Sequence, residues 1–357
     1  MNIHNFSAGP CILPKEVFTK TAEAVLNFNN SGLSILEISH RSKDFVAVME
    51  EARALALDLL GLTGKGYQAL FLQGGASMEF LRIPYNFLKV GGKAAYLDTG
   101  TWANNAIKEA KPFGDVAVVG SSKEQQYNHI PQGYEIPADA DYFHCTSNNT
   151  IYGTQMNVFP TTEVPLICDM SSDIFSKTLD FTQFGVIYAG AQKNMGPAGA
   201  TLVVVKESLL NKTGREIPGI LNYATHIAKE SMYNTPPVSA VYTSLLTLQW
   251  LKNNGGIAAM EQKNEAKAAL LYAEIDRNPL FKGCALEADR SKMNATFLLV
   301  DETQHKATFD AMWKAAGISG LNGHRSVGGY RASMYNALPI ESVQVLVEVM
   351  KELEKQA

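Results

Sequence analysis

Asp169 and Lys193 are the two residues whose types and positions most clearly suggest joint chemistry. Asp169 closes the apolar run Val164-Pro165-Leu166-Ile167-Cys168, and Lys193 follows the next apolar run in Tyr188-Ala189-Gly190-Ala191-Gln192-Lys193-Asn194. If both runs are neighbouring strands, a carboxylate and an amine emerge on the same edge of a sheet, where ligands of α/β folds bind. An amine there can form a Schiff base with a carbonyl, and a carboxylate can hold a pyridine nitrogen protonated. Pyridoxal phosphate needs both, because its protonated ring is the electron sink for a carbanion. The same spacing is compatible with a surface salt bridge between two loop residues.

A phosphate cradle would complete such a site. Gly74-Gly75-Ala76-Ser77 stands between an apolar run and a helical pattern, where free N–H groups and the helix dipole favour a phosphate. A plain Gly-rich turn has the same composition. Trp102 opens the next strand–helix unit and can either cover a ring face or join the core. The dipeptide His-Arg occurs as His40-Arg41 and again as His324-Arg325, with Arg331 soon after. Arginine's planar fork matches carboxylate and phosphate oxygens and stays charged when desolvated; the alternative is a set of surface ion pairs of little energy. With 31 Lys plus Arg against 35 Asp plus Glu, the formal charge is −4, so an anion site must be a local cluster and not a global field.

Seven short apolar runs must position these residues: 69–72, 94–97, 116–119, 141–145, 164–168, 185–189 and 200–205. Helical patterns lie between them, as in Phe45, Val48, Met49, Ala52, Leu55, Ala56 and Leu59. This alternation predicts an α/β fold, a mostly parallel seven-stranded sheet covered by helices, with 200–205 as an antiparallel partner. Thr235-Pro236-Pro237 predicts a helix start with Thr235 as N-cap and the prolines in the first turn. Asn253-Asn254-Gly255-Gly256 ends that helix and marks the expected domain boundary. A long polar helix over 257–275, a strand over 295–300, a helix over 306–316, a strand around Arg331 and a terminal helix carrying Val343, Leu346, Met350 and Leu353 predict a smaller α+β C-terminal domain.

With 46% hydrophobic and 18% charged residues, the 357-residue composition is that of a soluble globular protein. No apolar run approaches the ~20 residues of a membrane helix, and the first thirty residues lack the pattern of a secretory leader. Cys11, Cys145, Cys168 and Cys284 show neither CxxC nor zinc-ligand spacing, so they read as reduced thiols of a cytoplasmic protein. His4, His129, His144, His226 and His305 read as structural or surface residues. No metal, nucleic-acid or membrane partner is expected, and the lack of GxGxxG and GxxxxGK[ST] motifs argues against a nucleotide site.

Six segments carry a resemblance that spans nearly the whole chain. They are Asn5-Phe6-Ser7-Ala8-Gly9-Pro10, Ser39-His40-Arg41-Ser42, Gly74-Gly75-Ala76-Ser77, the run from Gly190 to Gly199, Tyr233-Asn234-Thr235-Pro236-Pro237, and the run from Gly323 to Ser333. Together they resemble the phosphoserine aminotransferase family of class-V, fold type I pyridoxal phosphate enzymes. The resemblance implies an aspartate-aminotransferase-like large domain over 15–255, with 1–14 and 256–357 forming the small domain. It implies pyridoxal 5'-phosphate held by Lys193 as a Schiff base, with Asp169 on the pyridinium nitrogen. Ala76, Ser77 and Gln192 would contact the cofactor phosphate, Trp102 would stack on the ring, and Thr150 would bond near the ring hydroxyl. Asn234 and Thr235 would reach the cofactor phosphate of the other subunit of a homodimer. Arg325 would grip the substrate's α-carboxylate, with His40, Arg41, His324 and Arg331 around its phosphate. Some relatives have Arg where this chain has Ser77, which leaves the cofactor phosphate one formal positive charge fewer. The implied reaction is reversible amino transfer from L-glutamate to 3-phosphohydroxypyruvate, with 4-phosphohydroxy-L-threonine chemistry of vitamin B6 synthesis as a second family activity. The alternatives weighed against it are a relative acting on an unphosphorylated small amino acid and a noncatalytic phosphate-binding module.

Overall fold

Runs such as Thr201–Lys206, apolar on both faces, are stable only as interior strands. Seven strands form the central sheet of the computed structural model, which describes residues 3–357. They are β1 (Tyr67–Leu72), β2 (Lys93–Asp98), β3 (Asp115–Ser121), β4 (Tyr142–Thr146), β5 (Leu166–Asp169), β6 (Val186–Gly190) and β7 (Thr201–Lys206). Their spatial order is β1-β7-β6-β5-β4-β2-β3. β7 is antiparallel to both neighbours, as expected, and the other pairs are parallel. The registers Thr146↔Asp169 and Asp169↔Tyr188 bring the C-terminal ends of β4, β5 and β6 to one edge.

Nine α-helices surround this sheet and its neighbour: α1 (Lys15–Leu26), α2 (Lys43–Leu59), α3 (Gly75–Phe87), α4 (Thr101–Ala110), α5 (Tyr223–Ala228), α6 (Val238–Asn253), α7 (Gly256–Arg277), α8 (Glu302–Ala315) and α9 (Ile340–Gln356) among the described residues. One sheet face packs on α2 and α6. The other packs on α3 and α4, through residues such as Phe80, Ile83 and Ile107. The small sheet, β8 (Phe281–Gly283), β9 (Asn294–Leu299) and β10 (Tyr330–Ser333), is antiparallel. It shares a core with α8 and α9 that includes Val343, Leu346, Met350 and Leu353, and N-terminal Phe6 belongs to that core. α7 feeds both cores, with Ile257 and Met260 in the large one and Leu271 and Ile275 in the small one.

One helix start differs from expectation. Thr235 is not an N-cap: α6 begins at Val238, after Pro237, and no side chain caps it. A residue before proline is held extended, so Pro236 and Pro237 push the first helical turn beyond themselves. Thr235 is thereby left in an exposed extended segment.

Candidate active site

A cavity of about 410 Å³ opens at the edge where β4, β5 and β6 end, and Asp169, Lys193, Trp102, Thr150, Gln192 and Arg331 all line it. Asp169 is the last residue of β5, so its side chain emerges at the end of the sheet. Its Oδ1 accepts from the Ser171 amide at 2.9 Å. Burial pushes the Asp169 carboxyl above its ordinary pKa, while the Ser171 bonds and the Lys193 charge pull it back toward the ionised form.

Lys193 stands in the turn between β6 and β7. The turn is fixed by Gly196 donating to the Ala191 carbonyl at 2.9 Å and by the Cys11 amide donating to the Gln192 carbonyl at 3.2 Å. A Cβ on Gly9 would lie 3.6 Å from the Lys193 Cγ, so the N-terminal segment packs along the lysine stem. Burial pushes the Lys193 ammonium below its ordinary pKa and Arg331 adds to the effect; Asp169 opposes both. The amine is thus poised nearer to its neutral, nucleophilic form than a surface lysine. Its Nζ lies 5.9 Å from the Trp102 ring centroid, and the Trp102 indole donates to Thr150 Oγ1 at 3.3 Å.

The phosphate cradle has the conformation its glycines allow. Gly74 and Gly75 have φ of 108° and 66°, values at which a side chain is strained. A Cβ on Gly74 would meet the Met78 Cβ at 2.5 Å. The turn delivers Gly75, Ala76 and Ser77 to the cavity at the amino end of α3, where unpaired amides and the macrodipole face an anion. Carboxylate, amine, indole face and amide cradle therefore converge on one space, a donor set that fits pyridoxal phosphate.

The arginines divide differently from expectation. Arg331 lines the cavity, its Nη1 donates to the Thr150 carbonyl at 3.0 Å, and its buried Nε has no partner. Arg325 is exposed and does not line the cavity. His324 lines the cavity and bonds to Ser326 Oγ at 2.7 Å; burial, then the charges of Arg331 and Arg325, push its imidazolium below the ordinary value. Arg41, Asn234 and Thr235 are exposed and His40 is partly so, all outside this cavity.

Residues that sequence reasoning left without a role also line the site, among them Gly9, Asn148, Ser171 and Ser172. For three of them the signal was nearness in sequence, since Ser171 and Ser172 lie two and three residues after Asp169, and Asn148 lies two before Thr150. Asn148 Nδ2 donates to Ser172 Oγ at 2.7 Å and to Asn294 Oδ1 at 2.8 Å, joining the cavity wall to the small sheet.

The chain is similar to known proteins over nearly its whole length. The aminotransferase class-V family model matches residues 3–346. A phosphoserine aminotransferase of Flavobacterium johnsoniae is 74% identical, covering 99% of each chain. The solved phosphoserine aminotransferase of Bacillus circulans subsp. alkalophilus superposes with a TM-score of 0.95 at 45% identity, covering 99% of each chain. The structure of the Trichomonas vaginalis phosphoserine aminotransferase with bound pyridoxal phosphate superposes with a TM-score of 0.92 at 36% identity, covering 98% of this chain and 100% of that one.

Proposed function

The chain belongs to the class-V aminotransferases and, within them, to the phosphoserine aminotransferases, and from that premise we propose how its own residues divide the work. The reaction is amino transfer from L-glutamate to 3-phosphohydroxypyruvate, giving O-phospho-L-serine and 2-oxoglutarate, with pyridoxal 5'-phosphate as cofactor. When bound, that cofactor supplies the electron sink that acidifies the substrate's α-C–H bond and carries the amino group between half-reactions.

Lys193 would hold the cofactor covalently, and its free amine would be the base that moves the α-proton. Its lowered pKa supports that role, because only the neutral amine can accept a proton. Asp169 stabilises the protonated ring nitrogen, Trp102 covers a ring face and Thr150 bonds near the ring hydroxyl. Ala76, Ser77 and Gln192 bind the cofactor phosphate.

For the substrate we exchange the roles of two arginines. Both glutamate and the phosphorylated partner carry an α-carboxylate close to the reacting carbon, so its anchor must lie beside Lys193. Arg331 meets that requirement and its unpaired Nε offers a donor; exposed Arg325 does not. We therefore assign Arg331 to the α-carboxylate, and His324 and Arg325 to the distal phosphate or the side-chain carboxylate of glutamate. The Arg331 position beside Lys193 is the observation that carries this assignment.

The enzyme works as a homodimer in this reading. His40, Arg41, Asn234 and Thr235 lie outside their own chain's cavity, so they serve the partner's, His40 and Arg41 at the substrate phosphate and Asn234 and Thr235 at the cofactor phosphate. Exposed apolar side chains adjoin both segments, Leu33 and Leu36 before His40, and Tyr233 beside Asn234, as expected of an interface. Among the described residues no helix is long and apolar enough to cross a membrane, and we place the enzyme in the cytoplasm.

The deciding assay compares 3-phosphohydroxypyruvate with its unphosphorylated counterpart as acceptor from glutamate. Strong preference for the phosphorylated acid is expected; equal rates would overturn the substrate assignment.

A further inference from the structure

Gln73 joins two parts of the chain that meet different cofactors if the dimer reading holds. It lies between the end of β1 and the cradle glycines, and its side chain is exposed. Its Nε2 donates to the Thr235 carbonyl at 2.5 Å, while its own carbonyl accepts from Arg82 Nη1 at 3.0 Å. Arg82 cannot wander, because the same nitrogen donates to Glu79 Oε1 at 2.6 Å, and both side chains are almost wholly buried. Glu79 Oε2 in turn accepts from the Tyr223 hydroxyl at 2.5 Å.

The wider docking of residues 221–235 follows the same line. Asn86 Nδ2 donates to the Leu221 carbonyl at 2.8 Å, and Asn86 Oδ1 accepts from the Tyr223 amide at 3.0 Å. The Phe71 amide donates to Ser231 Oγ at 3.1 Å. Glu79, Arg82 and Asn86 share one face of α3 at helical spacing, so the helix that opens with the phosphate cradle also carries the 221–235 segment. Beyond Ser231 that segment runs out to Asn234 and Thr235, where prolines deny it a helix cap. The Gln73 amide is the contact that holds its exposed end.

We propose that Gln73 is a positioning residue that acts in trans: seated on the buried Arg82–Glu79–Tyr223 cluster, it fixes Thr235 for the cofactor phosphate of the partner subunit. The inference rests on the homodimer reading of Asn234 and Thr235. Truncating Gln73 removes only its side chain, so its carbonyl, and with it the chain's own cradle, stays bonded to Arg82. A structural role alone would affect both sites alike; positioning in trans affects one.

The test uses hybrid dimers of differently tagged full-length subunits, one carrying Lys193→Ala so that a single site can bind cofactor covalently. The readout is the pyridoxal phosphate concentration that half-fills that site, measured as cofactor fixed to Lys193 by borohydride. With Gln73→Ala in the Lys193→Ala subunit, the intact site of the other subunit should need roughly three- to tenfold more cofactor, the worth of a lost hydrogen bond. With Gln73→Ala in the subunit that keeps Lys193, the requirement should stay at the wild-type value. Equal effects in both arrangements, or none in either, overturn the inference. A parallel Thr235→Ala series separates the two levels of the argument. If Thr235→Ala acts in trans while Gln73→Ala does not, the inference alone falls; if Thr235→Ala acts in cis, the dimer reading falls with it.

Discussion

The floor of the cavity and its rim are built by different means. Asp169, Lys193 and the Gly74-Gly75 cradle are set by strand ends and turns of a buried sheet; one chain supplies all of them, and their surroundings are packed. Arg325, Arg41 and Asn234 lie on exposed loops, and a single chain brings none of these three to the cavity. The contrast teaches that the groups at the reacting centre are packed within one chain, whereas Arg325, Arg41 and Asn234, assigned to the anionic far ends of substrate and cofactor, stand outside that chain's cavity. Arg331, carried by β10, reaches from the rim into the cavity, and His324 from the same motif lines it too.

The most severe way to break the comparison is to remove the amine from the floor. Lys193→Ala should lower turnover roughly a hundred- to ten-thousandfold, the usual worth of a positioned base, and more where covalent attachment also contributes. The variant should still retain cofactor noncovalently, because Asp169 and the cradle remain. Single-turnover rates and retained visible absorbance would check both parts, and normal turnover would remove the central assignment.

Next in size is the residue shared by floor and rim. Arg331→Lys should reduce kcat/KM about ten- to a hundredfold for glutamate and for 3-phosphohydroxypyruvate alike, since both present an α-carboxylate and a point charge cannot replace a fork. Arg325→Lys should act unequally on the two, with the larger loss for the doubly charged phosphate. Equal losses from Arg325→Lys and unequal ones from Arg331→Lys would restore the assignment drawn from sequence alone. A smaller effect is expected at Arg41. Arg41→Ala should raise KM for the phosphorylated acid several-fold, and hybrid dimers should place that loss in the partner's site.

The floor was also the part most legible in the sequence. Apolar runs bounded by Asp169 and Gly190 are local signals, and parallel pairing then fixes which edge they share. The glycines of the cradle announced a turn, and the positive φ at both confirms why no other residue stands there. The arginine roles were not legible in the same way. Arg325 and Arg331 sit in one motif, and no periodicity tells which enters the cavity; that follows from Arg331 lying at the start of strand β10 while Arg325 stays in the exposed loop before it. Thr235 failed as a helix cap because two consecutive prolines outweigh a capping hydroxyl. α7 was legible as a helix, but not as one shared by two cores, since polarity pattern alone does not name the partner of each turn.

The smallest effect concerns stability, and it sharpens what the floor is made of. His144 lies fully buried in β4, stacked on Tyr96 with ring centroids 4.8 Å apart, and its Nε2 is 2.9 Å from the Tyr188 hydroxyl. Its Nδ1 has no partner. Burial pushes its imidazolium down to about 3, so the folded protein holds it neutral while the unfolded chain protonates it near 6.5. The stabilising contribution is therefore complete above about pH 6.5 and is lost as pH falls toward the folded value, at about 1.4 kcal/mol per pH unit. His144→Gln should remove one proton from the uptake on unfolding, flattening the acid side of a plot of urea midpoint against pH. Turnover at neutral pH should change little, because His144 sits behind the strand ends and does not line the cavity. An unchanged acid limb in that variant would mean that the floor tolerates a charge beneath it, and that the rim, not the floor, unfolds first in acid.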